Sequence, residues 1–95
     1  MKLLLSAEAA TDLQRLHAFL NDKSPEIARR AVEVLTGAVE SLATLPERGR
    51  PSGIVGIREL IVPFGQSAYV LRYFHKPNSD AVVILRIWHG REARG

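Results

Sequence analysis

Four arginines, Arg58, Arg72, Arg86 and Arg91, fall on or just past the apolar runs of the second half of the chain, with Tyr69, Tyr73, Trp88 and His89 among them. Guanidinium groups grip phosphate in a bidentate fork and aromatic faces stack on bases, so this composition suits contact with RNA. It equally suits long arginine stems covering the exposed face of a sheet. The run Trp88-His89-Gly90-Arg91-Glu92 puts an aromatic ring, a titratable imidazole and a guanidinium at the exit of a strand. His89 is a candidate general acid or base there.

Other chemistry is missing from the pattern. His17, His75 and His89 sit on three different elements without ligand-like spacing, and His17 reads as a side chain packed beside a helical stripe. There is no HExxH, no glycine-rich phosphate loop and no GxSxG elbow. Glu8 and Asp12 stand one helical turn apart, where acids near a helix start serve its dipole. With no cysteine, disulfide scaffolds, thiolate zinc sites and cysteine catalysis are excluded. A chain of 95 residues forms one domain, 1–95, with no room for a second lobe around a cofactor, and neither cofactor nor metal is expected.

The elements that must hold these residues follow from periodicity. Lys2 to Leu5 reads as a strand and Ser6 as the cap of a helix with its apolar stripe at Ala9, Leu13, Leu16 and Leu20. Ser24-Pro25 starts a second helix, with Ile27, Ala31, Leu35, Ala38, Leu42 and Leu45 facing inward and a Glu26–Arg30 pair outward, ended by Pro46. Residues 47–53 read as a loop. Three strand-like runs follow, Val55 to Val62, Ala68 to His75 and Ala81 to His89, with breakers between them. The order β-α-α-β-β-β predicts an α+β domain, an N-terminal helical hairpin packed on a small antiparallel sheet. In the last strand Ala81, Val83, Leu85, Ile87 and His89 form the more continuous apolar set and are assigned to the helices. Arg86 and Trp88 then lie on the open face beside Arg72, and a one-residue bulge would invert this assignment.

Charge is unevenly divided. Residues 1–47 carry five basic and seven acidic side chains, residues 48–95 eight basic and three acidic, so a net +3 combines −2 with +5. A basic half of that kind suits an anionic partner, nucleic acid or an acidic protein patch. The apolar start at Met1 to Leu5 is broken by Glu8, short of a signal segment, and no run approaches a membrane span, so a cytoplasmic protein without membrane contact is expected.

The succession Leu45-Pro46-x-x-Gly49-Arg50-Pro51, Gly56-Ile57-Arg58-Glu59-Leu60, Tyr69-Val70-Leu71-Arg72-Tyr73 and Val83 to Glu92 resembles the RelE/ParE superfamily of toxins from type II toxin–antitoxin modules, the plasmid stabilization proteins. The resemblance covers essentially the whole chain. It implies a helical hairpin on a small sheet and a cognate antitoxin, ParD-like, whose C-terminal segment wraps the toxin and whose N-terminal part carries operator DNA. It also implies one of two activities: inhibition of DNA gyrase, as in the ParE branch, or cleavage of mRNA on the ribosome, as in the RelE branch.

The nuclease branch has a basic residue after the first tyrosine of its Tyr-x-x-x-Tyr strand, where this chain has Val70, and two on the preceding strand, where it has Arg58 and Leu60. It also carries a tyrosine or equivalent near the C-terminus, which residues up to Gly95 do not supply. The resemblance therefore leans to the gyrase branch, with the ribosome-dependent nuclease as the alternative and a non-toxic binding module, which explains the charge asymmetry but not the motif order, as a further one. Arg58, His89 and Arg91 remain the catalytic candidates should it be a nuclease, and Arg58, Tyr69, Arg72, Tyr73, Arg86, Trp88, His89 and Arg91 the candidates for partner or nucleic-acid contact.

Overall fold

The computed structural model describes residues 1–92; Arg94 and Gly95, counted above, lie outside the described residues. Strand β1 (Lys2–Leu5) leads into helix α1 (Ala7–Lys23) and helix α2 (Pro25–Ser41). Strands β2 (Arg50–Pro51), β3 (Ile57–Phe64), β4 (Ser67–Phe74) and β5 (Ala81–His89) follow. The five strands make one sheet in the order β1-β5-β4-β3-β2. It is antiparallel except at one edge, where β1 runs parallel to β5 with Leu3 opposite Val82. A strand followed by two helices can return to its neighbour in either direction, which is why hairpin logic alone does not supply this pair. The two-residue β2 is likewise invisible to periodicity; it pairs Arg50 with Glu59 inside what reads as a loop.

The caps are those expected from the sequence. The Ser6 hydroxyl accepts from the Ala9 amide at 3.0 Å, and that of Ser24 from the Ile27 amide at 3.3 Å. Helix α2 differs from expectation at both ends of its stripe. Its buried line is Ala28, Ala31, Leu35, Ala38 and Leu42, while Ile27 and Leu45 are exposed. The helix stops at Ser41, whose hydroxyl turns back to the Ala38 carbonyl at 2.6 Å, so Leu45 lies beyond the helical repeat. The outward ion pair joins Arg29 to Glu33 rather than Glu26 to Arg30.

The core lies between the helices and one sheet face, with Leu16, Leu35 and Leu42 against Leu60, Leu71, Tyr73, Val82, Ile84 and Ile87. The β4–β5 register corrects the expected face assignment. Arg72 pairs with Arg86 but Tyr73 pairs with Ile84, leaving Leu85 as an extra residue. Before this bulge Val82 and Ile84 face the helices, not Val83 and Leu85; after it Ile87 faces inward as expected.

Tyr73 anchors the long connection. Its hydroxyl donates to the Pro46 carbonyl at 2.7 Å and accepts from the Gly49 amide at 2.9 Å. Glycine is needed at 49, since a Cβ there would lie 2.7 Å from that hydroxyl. Tyr73→Phe strands a buried amide and is expected to cost about 1–3 kcal/mol in urea unfolding. Removing the exposed Arg29–Glu33 pair by Arg29→Ala should cost about 0.5 kcal/mol or less.

Candidate functional site

The arginines that stood out in the sequence do not gather into one site, because most are bound to the protein itself. Arg72 reaches Glu59 on the adjacent strand through two hydrogen bonds to the same oxygen, at 3.0 and 2.9 Å, and its guanidinium lies 4.9 Å from the centre of the Trp88 ring. That neighbourhood is as expected, but Trp88 is buried beneath the arginine and offers no free face for stacking. Arg58 donates to the Gly49 carbonyl at 2.8 Å. Tyr73 is fully buried, and burial first of all raises its hydroxyl pKa above the usual value.

Arg86 departs most from expectation. It does not share the open face with Trp88 but turns to α1, donating to both oxygens of Asp12 at 2.8 and 3.1 Å. Asp12 is only 4% exposed. It also accepts from the Ile87 amide at 2.9 Å, and Arg15 stands 3.5 Å away. The acid is thus the buried partner of a strand 74 residues away, not a dipole ornament. Burial alone raises its pKa; the bond to Arg86, the Ile87 amide and the charges of Arg86 and Arg15 outweigh that and hold it below the ordinary 3.8.

The remaining candidates meet a few residues further on, at the C-terminal end of β5. Here α1, the end of β3, the start of β4 and the end of β5 enclose a groove of about 610 Å³ lined by Arg15, Leu16, Phe19, Leu20, Phe64, Tyr69, His89, Arg91 and Glu92. The His89 ring stands edge-on to Tyr69, centroids 5.4 Å apart. Its Nδ1 accepts from the Arg91 amide at 3.2 Å, so the geometry leaves Nε2 to carry the proton. Glu92 accepts from the His89 amide at 2.7 Å and from Arg15 at 2.7 Å, fastening the turn to α1. Tyr69 is buried, and burial, then the Glu92 charge, raises its pKa. Arg91 is exposed at the rim.

The groove brings together Tyr69, His89 and Arg91, which the sequence singles out, and adds an α1 wall that it does not. Phe19, largely exposed beside Leu20, was the legible signal: an aromatic off the buried stripe of a surface helix. Arg15 and Glu92 have no such signal, since only the fold brings them together.

A helical hairpin laid on such a sheet is the architecture of toxins from type II toxin–antitoxin modules. The structure aligns with a chain of the chromosomal ParDE toxin–antitoxin system from P. aeruginosa at a TM-score of 0.74 and 26% identity, over 94% of this chain and 95% of that one. Residues 3–94 match the family model of the ParE toxin of type II toxin–antitoxin system, parDE, and the chain belongs to that family. Among its relatives are two toxins of Caulobacter vibrioides that carry the other branch's name. Toxin RelE1 is 43% identical over 96% of this chain and 95% of its own length, and Toxin RelE3 is 40% identical over 95% of each.

The Asp12 cluster makes a pH prediction. Because the folded pKa lies below the unfolded one, its contribution is complete above about 3.8 and is lost as pH falls through the folded value. Asp12→Asn should lower stability near neutrality by about 2 kcal/mol. Its deficit against wild type should shrink below about pH 4 in urea titrations.

Proposed function

We propose that this toxin acts by docking on DNA gyrase and is neutralised by a cognate, ParD-like antitoxin, both in the cytoplasm. The observation that carries the gyrase reading is the internal commitment of the arginines. Arg58, Arg72 and Arg86 each hold a protein acceptor. Leu60 and Val70, at positions where the nuclease branch has basic residues, are buried apolar side chains. Cleavage through the ribose 2′-hydroxyl needs a base, an acid and cations around the phosphorane. Among the described residues, the groove's titratable groups are Tyr69, His89 and Glu92, and its cations are Arg91 at the rim and an Arg15 already bound to Glu92.

The antitoxin fits the groove. Its walls are apolar, from Leu16, Phe19, Leu20 and Phe64, and Arg91 stands on its rim. An amphipathic segment carrying acidic residues complements both, as helix-in-groove recognition does. Operator DNA is then reached through the antitoxin.

The relatives named RelE support a second reading, ribosome-dependent mRNA cleavage with Arg58, His89 and Arg91 at work. One pair of assays separates the two. Purified protein should stall gyrase supercoiling and leave ribosome-bound mRNA intact. Cleavage in a reconstituted translation system, abolished by His89→Ala with Arg91→Ala in a folded protein, would reverse the choice. Antitoxin affinity should also fall with added salt, by a few-fold across a threefold rise in ionic strength; a flat response would assign binding to the apolar walls alone.

A further inference from the structure

The connection between β2 and β3 ends in an apolar tip that packs against almost nothing. Ile54 is 64% and Val55 91% exposed, flanked by Gly53 and Gly56. Isolated apolar side chains on a surface are ordinary, but these two are adjacent and rigidly presented. The Ser52 hydroxyl donates to the Ile57 carbonyl at 2.8 Å and accepts from the Ile54 amide at 3.2 Å. The Ile57 amide closes back on the Ile54 carbonyl at 3.0 Å, and the His75 amide binds the Gly56 carbonyl at 2.8 Å. Gly53 and Gly56 have φ of +94° and +82°, in the left-handed region that glycine reaches without strain. At Gly56 a Cβ would also lie 2.6 Å from the Phe74 ring.

A tip so held has lost its freedom before any partner arrives, which lowers the cost of binding. Its base is cationic. The pairing of β2 with β3 puts Arg50 beneath it, exposed and reaching Glu59 only at 3.6 Å. Glu59 itself is already bound by Arg72. The loop 52–56 carries no aromatic ring to stack on a base; aliphatic side chains over an exposed arginine suit an apolar pocket rimmed by carboxylates on a protein.

We infer that the Ile54–Val55 tip is the element that enters the target protein, inserting into an apolar, acid-rimmed pocket of gyrase; this rests on the gyrase reading above. The tip stands at the start of the eight-residue β3 and the groove at its end, about 23 Å along the strand, so target and antitoxin meet different ends of the sheet.

Wild type, Ile54→Ser with Val55→Ser, and Val55→Asp alone are titrated into a gyrase supercoiling assay, with thermal unfolding of each recorded. Both variants should keep the wild-type unfolding temperature within a few degrees and need at least about tenfold more protein for half-inhibition. Wild-type potency in the variants removes the tip from the interface and leaves the gyrase reading standing. A wild-type protein that does not inhibit gyrase overturns that reading and this contact together. Should the double variant melt early, Val55→Asp decides, since Val55 is the most exposed large apolar side chain among the described residues. Fluorescent duplex DNA without gyrase is the last arm: no binding is expected, and binding that the tip variants lose would assign the tip to nucleic acid and overturn the proposal.

Discussion

The arrangement depends on one buried anion. Asp12 sits on the inner face of α1 and binds both the Arg86 side chain and the Ile87 amide, while the Ser6 hydroxyl, at the cap of the same helix, donates to the Leu85 carbonyl at 2.8 Å. Those three residues surround the bulge in β5. A bulge leaves backbone groups without ladder partners, and a buried unpaired amide or carbonyl costs about 1–3 kcal/mol. Here the helix start supplies the partners. The helical hairpin is therefore not merely laid on the sheet by apolar contact; it is registered to the irregular point of β5, an interior strand, by directional bonds.

The bulge in turn decides what the sheet presents. It switches the inward set from Val82 and Ile84 to Ile87 and His89, so the imidazole arrives on the helix side, beside Tyr69 and the groove. It leaves Trp88 on the opposite face under Arg72. Were β5 regular, the alternation carrying Val82 and Ile84 inward would continue to Arg86 and Trp88, and the groove would lose its histidine. The same bonds take Arg86 out of circulation as a phosphate ligand. An arginine-rich half of net charge +5 is consequently less available to an anion than its composition implies. Three of its guanidiniums are braces.

This separates what the sequence carries from what it does not. Ser6 and Ser24 as caps, the stripe of Leu16 and Leu35, and the alternation of Tyr69, Leu71 and Tyr73 are local signals, readable from spacing within a few residues. The α+β order was legible for that reason. The parallel β1–β5 pair and the Asp12–Arg86 bond join residues more than seventy positions apart, and no local pattern encodes them. The face of β5 before the bulge is not legible because Leu85 looks like any other apolar residue of a strand; nothing in its type marks it as the bulged one. At the site, the aromatic and basic residues were found by type, but type does not say whether an arginine faces a ligand or a neighbouring glutamate.

The central claim is that this toxin works by docking on gyrase and not by cutting RNA. Pulse labelling of cells after induced expression without antitoxin tests it most directly. The account predicts that thymidine incorporation stops first while methionine incorporation continues. Methionine incorporation collapsing first, with DNA synthesis still running, would contradict it.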